Sequence, residues 1–133
     1  MIFVDTSFWV AARQHKDAHH AEAIALSERF GGERLVTSNH VRGETWTFLR
    51  RKEGHRTAVA FLDALSRTAL VEVVFVNETL EEQALRWLHR HDEREYSFVD
   101  ATSFTLMRSL KIRNALAFDG DFAAAGFTEL RPS

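Results

Sequence analysis

Four carboxylates stand where short apolar runs end or longer amphipathic ones begin. Asp5 closes Ile2-Phe3-Val4, and Asp119 closes Ala115-Leu116-Ala117-Phe118. Asp100 lies in the first turn behind Ser97, and Glu44 falls early in the stretch after Leu35 to Thr37. Asp121, two positions beyond Asp119, is a further acid. A group of carboxylates repels itself unless a cation sits among it, and oxygen-only ligands suit hard ions such as Mg2+ or Mn2+. Taken alone, each acid also has a plain structural explanation. Asp5 can cap the helix that follows it, and Ser97-x-x-Asp100 fits a capping box. Asp119-Gly120 is a hairpin signal, and a helical glutamate such as Glu44 is ordinarily solvated. The weight lies in their recurrence at the same kind of position.

The elements that must position them follow from periodicity. Ile2 to Val4, Leu35 to Thr37, Val71 to Val76, Ala115 to Phe118 and Thr128 to Leu130 read as strands. Between them, Ala18 to Phe30 places Ala21, Ile24, Ala25 and Phe30 on one helical face behind Asp17 as N-cap, and Gly31-Gly32 ends it. Val41 to Arg51 and Thr57 to Leu65 read as consecutive helices, with Val41, Thr45, Phe48 and Leu49 inward in the first. Asn77 caps Thr79 to His89, with Leu80, Ala84, Leu85 (or Trp87) and Leu88 inward. Ser97 caps Phe98 to Leu110, and Phe122 to Ala125 forms a short helix capped by Asp121. Strands alternating with crossovers this long imply an α/β fold, with a mostly parallel sheet covered on both faces by helices. Ligands in such a fold sit outside the carboxyl ends of the strands, where the strand order reverses. That edge could gather all four acids.

Composition narrows the classes further. The 133 residues read as a single domain over 1–133, and a 45% hydrophobic fraction can fill its core. With 17 basic and 19 acidic side chains the formal charge is −2, so no uniformly basic surface holds nucleic acid by charge alone. The lack of cysteine removes disulfide frameworks, cysteine zinc sites and thiol nucleophiles. The opening apolar run meets Asp5 almost at once, which reads as a strand and not as a signal peptide. No stretch approaches a membrane span. A cytoplasmic protein is expected.

At this point the chain resembles a PIN-domain ribonuclease, most closely the VapC-type toxin of a toxin–antitoxin pair. The matching motifs are Phe3-Val4-Asp5-Thr6-Ser7, Glu44 within Val41-Arg-Gly-Glu-Thr-Trp-Thr-Phe-Leu49, Tyr96-Ser-Phe-Val-Asp100-Ala101, and Ala117-Phe-Asp119-Gly-Asp121-Phe122 followed by Gly126-Phe127. The resemblance implies a three-layer α/β/α fold with a five-stranded parallel sheet, a homodimer, one or two Mg2+ or Mn2+ ions, and endonucleolytic cleavage of RNA to a 5′-phosphate and a 3′-hydroxyl. It also implies a VapB-type antitoxin whose C-terminal segment crosses the active-site groove and sets a basic side chain among the acids. Asp5 and Asp100 are the expected direct ligands. Asp119 and Glu44 then bind a second ion or orient the attacking water, with Thr6 and Ser97 as supporting hydroxyls. A bound ion lowers the pKa of its water and offsets phosphate charge. Many relatives carry a hydroxyl two positions before the last aspartate, where this chain has Ala117.

RNA must then be met by a local basic rim, for which Arg42, Arg50, Arg51, Lys52 and Arg56 are candidates, with Lys111 and Arg113 before the last catalytic strand. Their plain alternative is a solvated face. The histidine pairs His19-His20 and His89-x-His91 are poorly spaced for zinc on a helix, although His15 with His19 would fit. A haloacid-dehalogenase-like phosphatase needs a second aspartate where Ser7 stands, and a phosphate-accepting receiver needs an acid pair and a lysine not found at the matching places. An RNA-processing nuclease without a toxin role, or a non-catalytic binding module on this fold, are the remaining alternatives.

Overall fold

The computed structural model describes residues 1–133. Five strands, β1 (Ile2–Val4), β2 (Leu35–Ser38), β3 (Val71–Val74), β4 (Asn114–Leu116) and β5 (Thr128–Glu129), form one sheet in the order β3-β2-β1-β4-β5. Every pairing is parallel. Ile2 and Phe3 pair with Leu35 and Val36 on one side, while Phe3 and Val4 pair with Ala115 and Leu116 on the other. The chain therefore starts in the middle strand and builds outward first to one edge, then to the other. The reversal falls between β1 and β4, and the crevice outside their carboxyl ends is the place for a ligand.

Seven helices fill the crossovers: α1 (Thr6–Arg13), α2 (His20–Phe30), α3 (Asn39–Lys52), α4 (His55–Arg67), α5 (Glu78–Arg90), α6 (Phe98–Leu110) and α7 (Asp121–Ala124). Helix α6 is buried from Asp100 through Met107, so its small and hydroxyl residues Ala101, Thr102 and Ser103 let neighbours approach on several sides. Phe3, Phe104 and Phe122 join in the centre, with ring centroids 6.0 Å apart for Phe3–Phe122 and 5.0 Å for Phe104–Phe122. Trp9 belongs to this interior, edge-on to Phe61 at 5.8 Å with its indole N–H donating to Thr37 Oγ1 at 3.4 Å.

Several boundaries differ from the sequence expectation for identifiable reasons. Strand β4 ends at Leu116 and not Phe118, because the Phe118 N–H turns away to donate to Ser7 Oγ at 3.0 Å. Strand β3 stops at Val74, where its partner β2 becomes the cap of α3, and the Val76 N–H is taken by Asn39 Oδ1. Asp17 does not cap α2: it accepts from the His19 N–H at 2.8 Å in a turn ahead of the helix, which begins at His20. Ile24 and Leu85, expected inward, are 41% and 46% exposed, and Trp87 takes the inward place against Tyr96 and Phe104. Phe48, also expected inward, is 38% exposed.

Candidate active site

Asp5 leaves β1 with its backbone N–H still paired to the Leu116 carbonyl, then caps α1. Its Oδ2 accepts from the Ser7 backbone N–H at 3.1 Å and the Ser7 hydroxyl at 2.7 Å. Ser7 Oγ in turn accepts from the Phe118 N–H, so one serine ties the exits of β1 and β4 together. The cap reading of Asp5 is therefore realised, and its carboxylate at the same time lines the cleft. The same holds for Asp100. Its Oδ2 accepts from the Ser97 N–H at 3.0 Å while Ser97 Oγ accepts from the Asp100 N–H at 2.9 Å, a reciprocal capping box that fixes the carboxylate and commits one of its oxygens.

Asp119 follows β4 across Ala117 and Phe118, and its Oδ1 accepts from the Asp121 N–H at 3.1 Å. Carboxylate oxygens of Asp100, Asp119 and Asp121 lie within 4.8 Å of one another. This corrects the expectation for Asp121, which makes no capping bond. Asp121 is the first residue of α7, behind Gly120 in the left-handed conformation, and its carboxylate turns back toward the other acids. There it meets Arg94, whose Nε donates to Asp121 Oδ1 at 2.5 Å and whose Nη2 donates to the Asp119 carbonyl at 3.0 Å.

These carboxylates share a cleft of about 530 Å³ with Thr6, Ser7, Ser97 and Glu44. Seven acids line it, and neither lysine nor arginine does. Burial pushes Asp5 up to about 8, helped by the negative charge of Asp119 and opposed by the two bonds from Ser7. Asp100 is raised to about 7, mainly by desolvation and then by Asp119 and Asp121, against the pull of its cap bond. Asp119 moves upward for the same leading reason, with Asp121 and Glu129 adding negative charge. Such a group holds protons, or a cation, in preference to its full charge.

Glu44 stands on exposed α3 at the cleft wall, outside the close group of three. Thr6 lines the cleft but bonds none of the carboxylates, and its buried Oγ1 has no hydrogen-bond partner. Ser7 does the bracing instead, its hydroxyl donating to Asp5 and accepting from Phe118 at the strand exit. The clue was the Asp-x-Ser spacing, in which an aspartate accepts from the residue two positions on. Asp17, Glu95 and His19 also line the cleft and were not singled out for it from the sequence. Of the sequence-derived basic rim, Arg51 lines an adjoining hollow that shares Glu44 and Phe48 with the cleft. Arg42 lies over Phe75 at 5.4 Å, while Arg50 and Lys52 are exposed at the end of α3. The histidines form no zinc group: His19 bonds Glu22, His20 the Ala11 carbonyl and His91 Glu93.

Comparison with known proteins places the chain in a family. The PIN domain family profile matches residues 2–128. The chain is 58% identical over 132 residues to the 23S rRNA-specific endonuclease VapC20 of Mycobacterium tuberculosis, covering 99% of each chain. It is 26% identical over 126 residues to a VapC ribonuclease of Archaeoglobus fulgidus, covering 90% of this chain and 78% of that one. The crystal structure of M. tuberculosis VapC20, described as a sarcin–ricin loop cleaving toxin, superposes with a TM-score of 0.89 at 56% identity, over 99% of this chain and 100% of that one. The chain belongs to the PIN-domain family, among its VapC proteins.

Proposed function

We propose that this protein is the endoribonuclease toxin of a VapBC-type pair, and that it hydrolyses 23S rRNA at the sarcin–ricin loop with Mg2+ or Mn2+ in the acidic cleft. The observation that carries the reading is the cluster of Asp100, Asp119 and Asp121, sharing one cleft with Asp5 at the switch point between β1 and β4, in a chain 58% identical to a 23S rRNA-specific endonuclease. The donor set suits such an ion: oxygen ligands only, with an unpartnered Thr6 hydroxyl on the same wall. Asp100 and Asp119 would hold it, Asp5 would complete the set, and Asp121 stands beside them, neutralised by Arg94. When bound, the ion supplies an activated water and offsets charge on the scissile phosphate.

The chain's own residues do the positioning. Ser7 keeps Asp5 aimed, and the Ser97 box leaves one Asp100 oxygen free. Glu44, across the cleft and outside the tight cluster, is the carboxylate available to accept a proton from the attacking water. The hollow with Arg51 continues the cleft along α3 and gives the RNA strand a cationic neighbour. Exposed Phe48, Phe75 and Phe98 surround the same helix, with Arg42 over Phe75 and His40 edge-on to Phe98. We assign this apolar rim to the homodimer contact. A VapB-type antitoxin is the expected protein partner, and the cytoplasm, where ribosomal RNA resides, is the expected compartment.

The test is cleavage of a labelled sarcin–ricin stem-loop with and without Mn2+. Cleavage that stops in chelator and in Asp5→Asn or Asp100→Asn supports the assignment. Undiminished cutting under either condition overturns it.

A further inference from the structure

The cleft is acidic throughout, yet its proposed substrate is a polyanion. Opposite charge lines a separate concavity of about 500 Å³ between α5 and α6, with Arg86, Arg90 and Arg108 beside Gln83, Thr105 and Ser109. No acid lines it, which contrasts with the seven acids of the cleft. None of the three arginines takes part in any of the six ion pairs of the chain or donates a side-chain hydrogen bond. Arg86 and Arg90 are four residues apart on α5, so they share a face and repel each other. Arg108 is held flat by aromatic rings, its guanidinium carbon 6.0 Å from the Trp87 centroid and 5.2 Å from Phe127, which leaves its N–H edge to be used. Three guanidinium groups with no internal acceptor, one of them seated against aromatic rings, thus face one concavity in a protein of net charge −2 and are open to an external anion.

Its position says which anion. Asp100 and Arg108 lie on one helix, about 12 Å apart along its axis at 1.5 Å per residue. Helices α5 and α6 pack together and are joined through His91 to Ser97, so Arg90 ends the helix that leads directly into the cleft's Glu95 and Ser97. We propose that this groove is a second RNA contact, in which Arg86, Arg90 and Arg108 bind backbone phosphates of the substrate away from the scissile bond. The inference rests on the RNA-cleaving reading of the cleft. It adds a basic surface on α5 and α6 to the one on α3 and α4 that the sequence had suggested.

The experiment uses full-length protein carrying Asp5→Asn, so that binding is read without cleavage, and the sarcin–ricin stem-loop as probe across 50–200 mM salt. Arg86→Gln with Arg90→Gln should weaken binding about tenfold and reduce the slope of log K against log salt by about 1.5, as loss of two phosphate contacts requires. Arg86→Lys with Arg90→Lys should keep most of the slope. Arg67→Gln, an exposed arginine on α4, serves as the control and should change neither. In protein with an intact cleft, the double glutamine variant should cut saturating RNA at the wild-type single-turnover rate. Unchanged affinity and slope overturn the groove while normal cleavage leaves the nuclease reading standing. Arginine-dependent binding without cleavage by the wild type does the reverse. A poly-glutamate peptide that loses affinity in the double variant while RNA does not assigns the groove to an acidic protein partner and overturns the proposal.

Discussion

Asp5 is a carboxyl group with a folded-state pKa near 8 against an ordinary value of 3.8. Asp100 is near 7 for the same leading cause, burial. A raised carboxyl contributes stability that is fully present below its unfolded pKa and is lost as pH rises through its folded one. The metal-free protein should therefore melt at progressively lower temperature between about pH 4 and pH 8. Mn2+ should restore the loss at the alkaline end, and Asp5→Asn should flatten the curve. A melting temperature that rises over this range in chelator would contradict the assignment. Asp119 and Asp121 separate on the same physics. Both belong to the tight group, but Asp121 alone is paired with Arg94. Asp119→Asn should weaken Mn2+ binding more than Asp121→Asn does, and the latter should still cost several-fold, because it frees a guanidinium beside Asp119. Side-by-side titrations of the two variants decide the order.

Helix starts are the devices that aim these groups. Ser97→Ala removes the acceptor for the Asp100 N–H and should cost about 1 kcal/mol of stability. It should also lower cleavage beyond what that loss explains, since Asp100 is then less restrained, while Ser97→Thr should retain both. Thermal melts paired with single-turnover rates measure the two effects. Much at this scale was legible in advance. The β/α alternation, the cap at Ser97 and the exact span of α6 follow from local patterning. Asp5 and Asp119 stood out because strand ends are where a parallel sheet gathers ligands, and Asp100 because it opens a helix behind Ser97. What the sequence hid depends on contacts between distant parts. Ser7 is 111 positions from Phe118, and no local rule pairs a hydroxyl with that N–H. Arg94 reaches Asp121 from the loop before α6, which turned an expected helix cap into a member of the acidic group. The outward turn of Leu85 was settled by Trp87, whose larger ring found Tyr96 and Phe104.

For the molecule as a whole, Phe48, Phe75 and Phe98 are the exposed apolar side chains clustered about α3, and Phe75 is 62% exposed. Sedimentation at micromolar concentration should show a dimer, and Phe75→Glu should shift it to monomer without lowering the melting temperature of the protomer. The sheet order has a consequence of another kind. Strand β1 at the start of the chain acquires its inner neighbour β4 only from residues 114–116, and Asp119 lies beyond that. During synthesis, Asp5 can be made and β1 paired with β2 long before either wall of the cleft is complete. A nascent or prematurely terminated chain that stops before residue 114 holds neither Asp119 nor the strand that would bring it to Asp5. The cleft therefore cannot be assembled, whatever the chain has already folded, before residues 114–121 have been made.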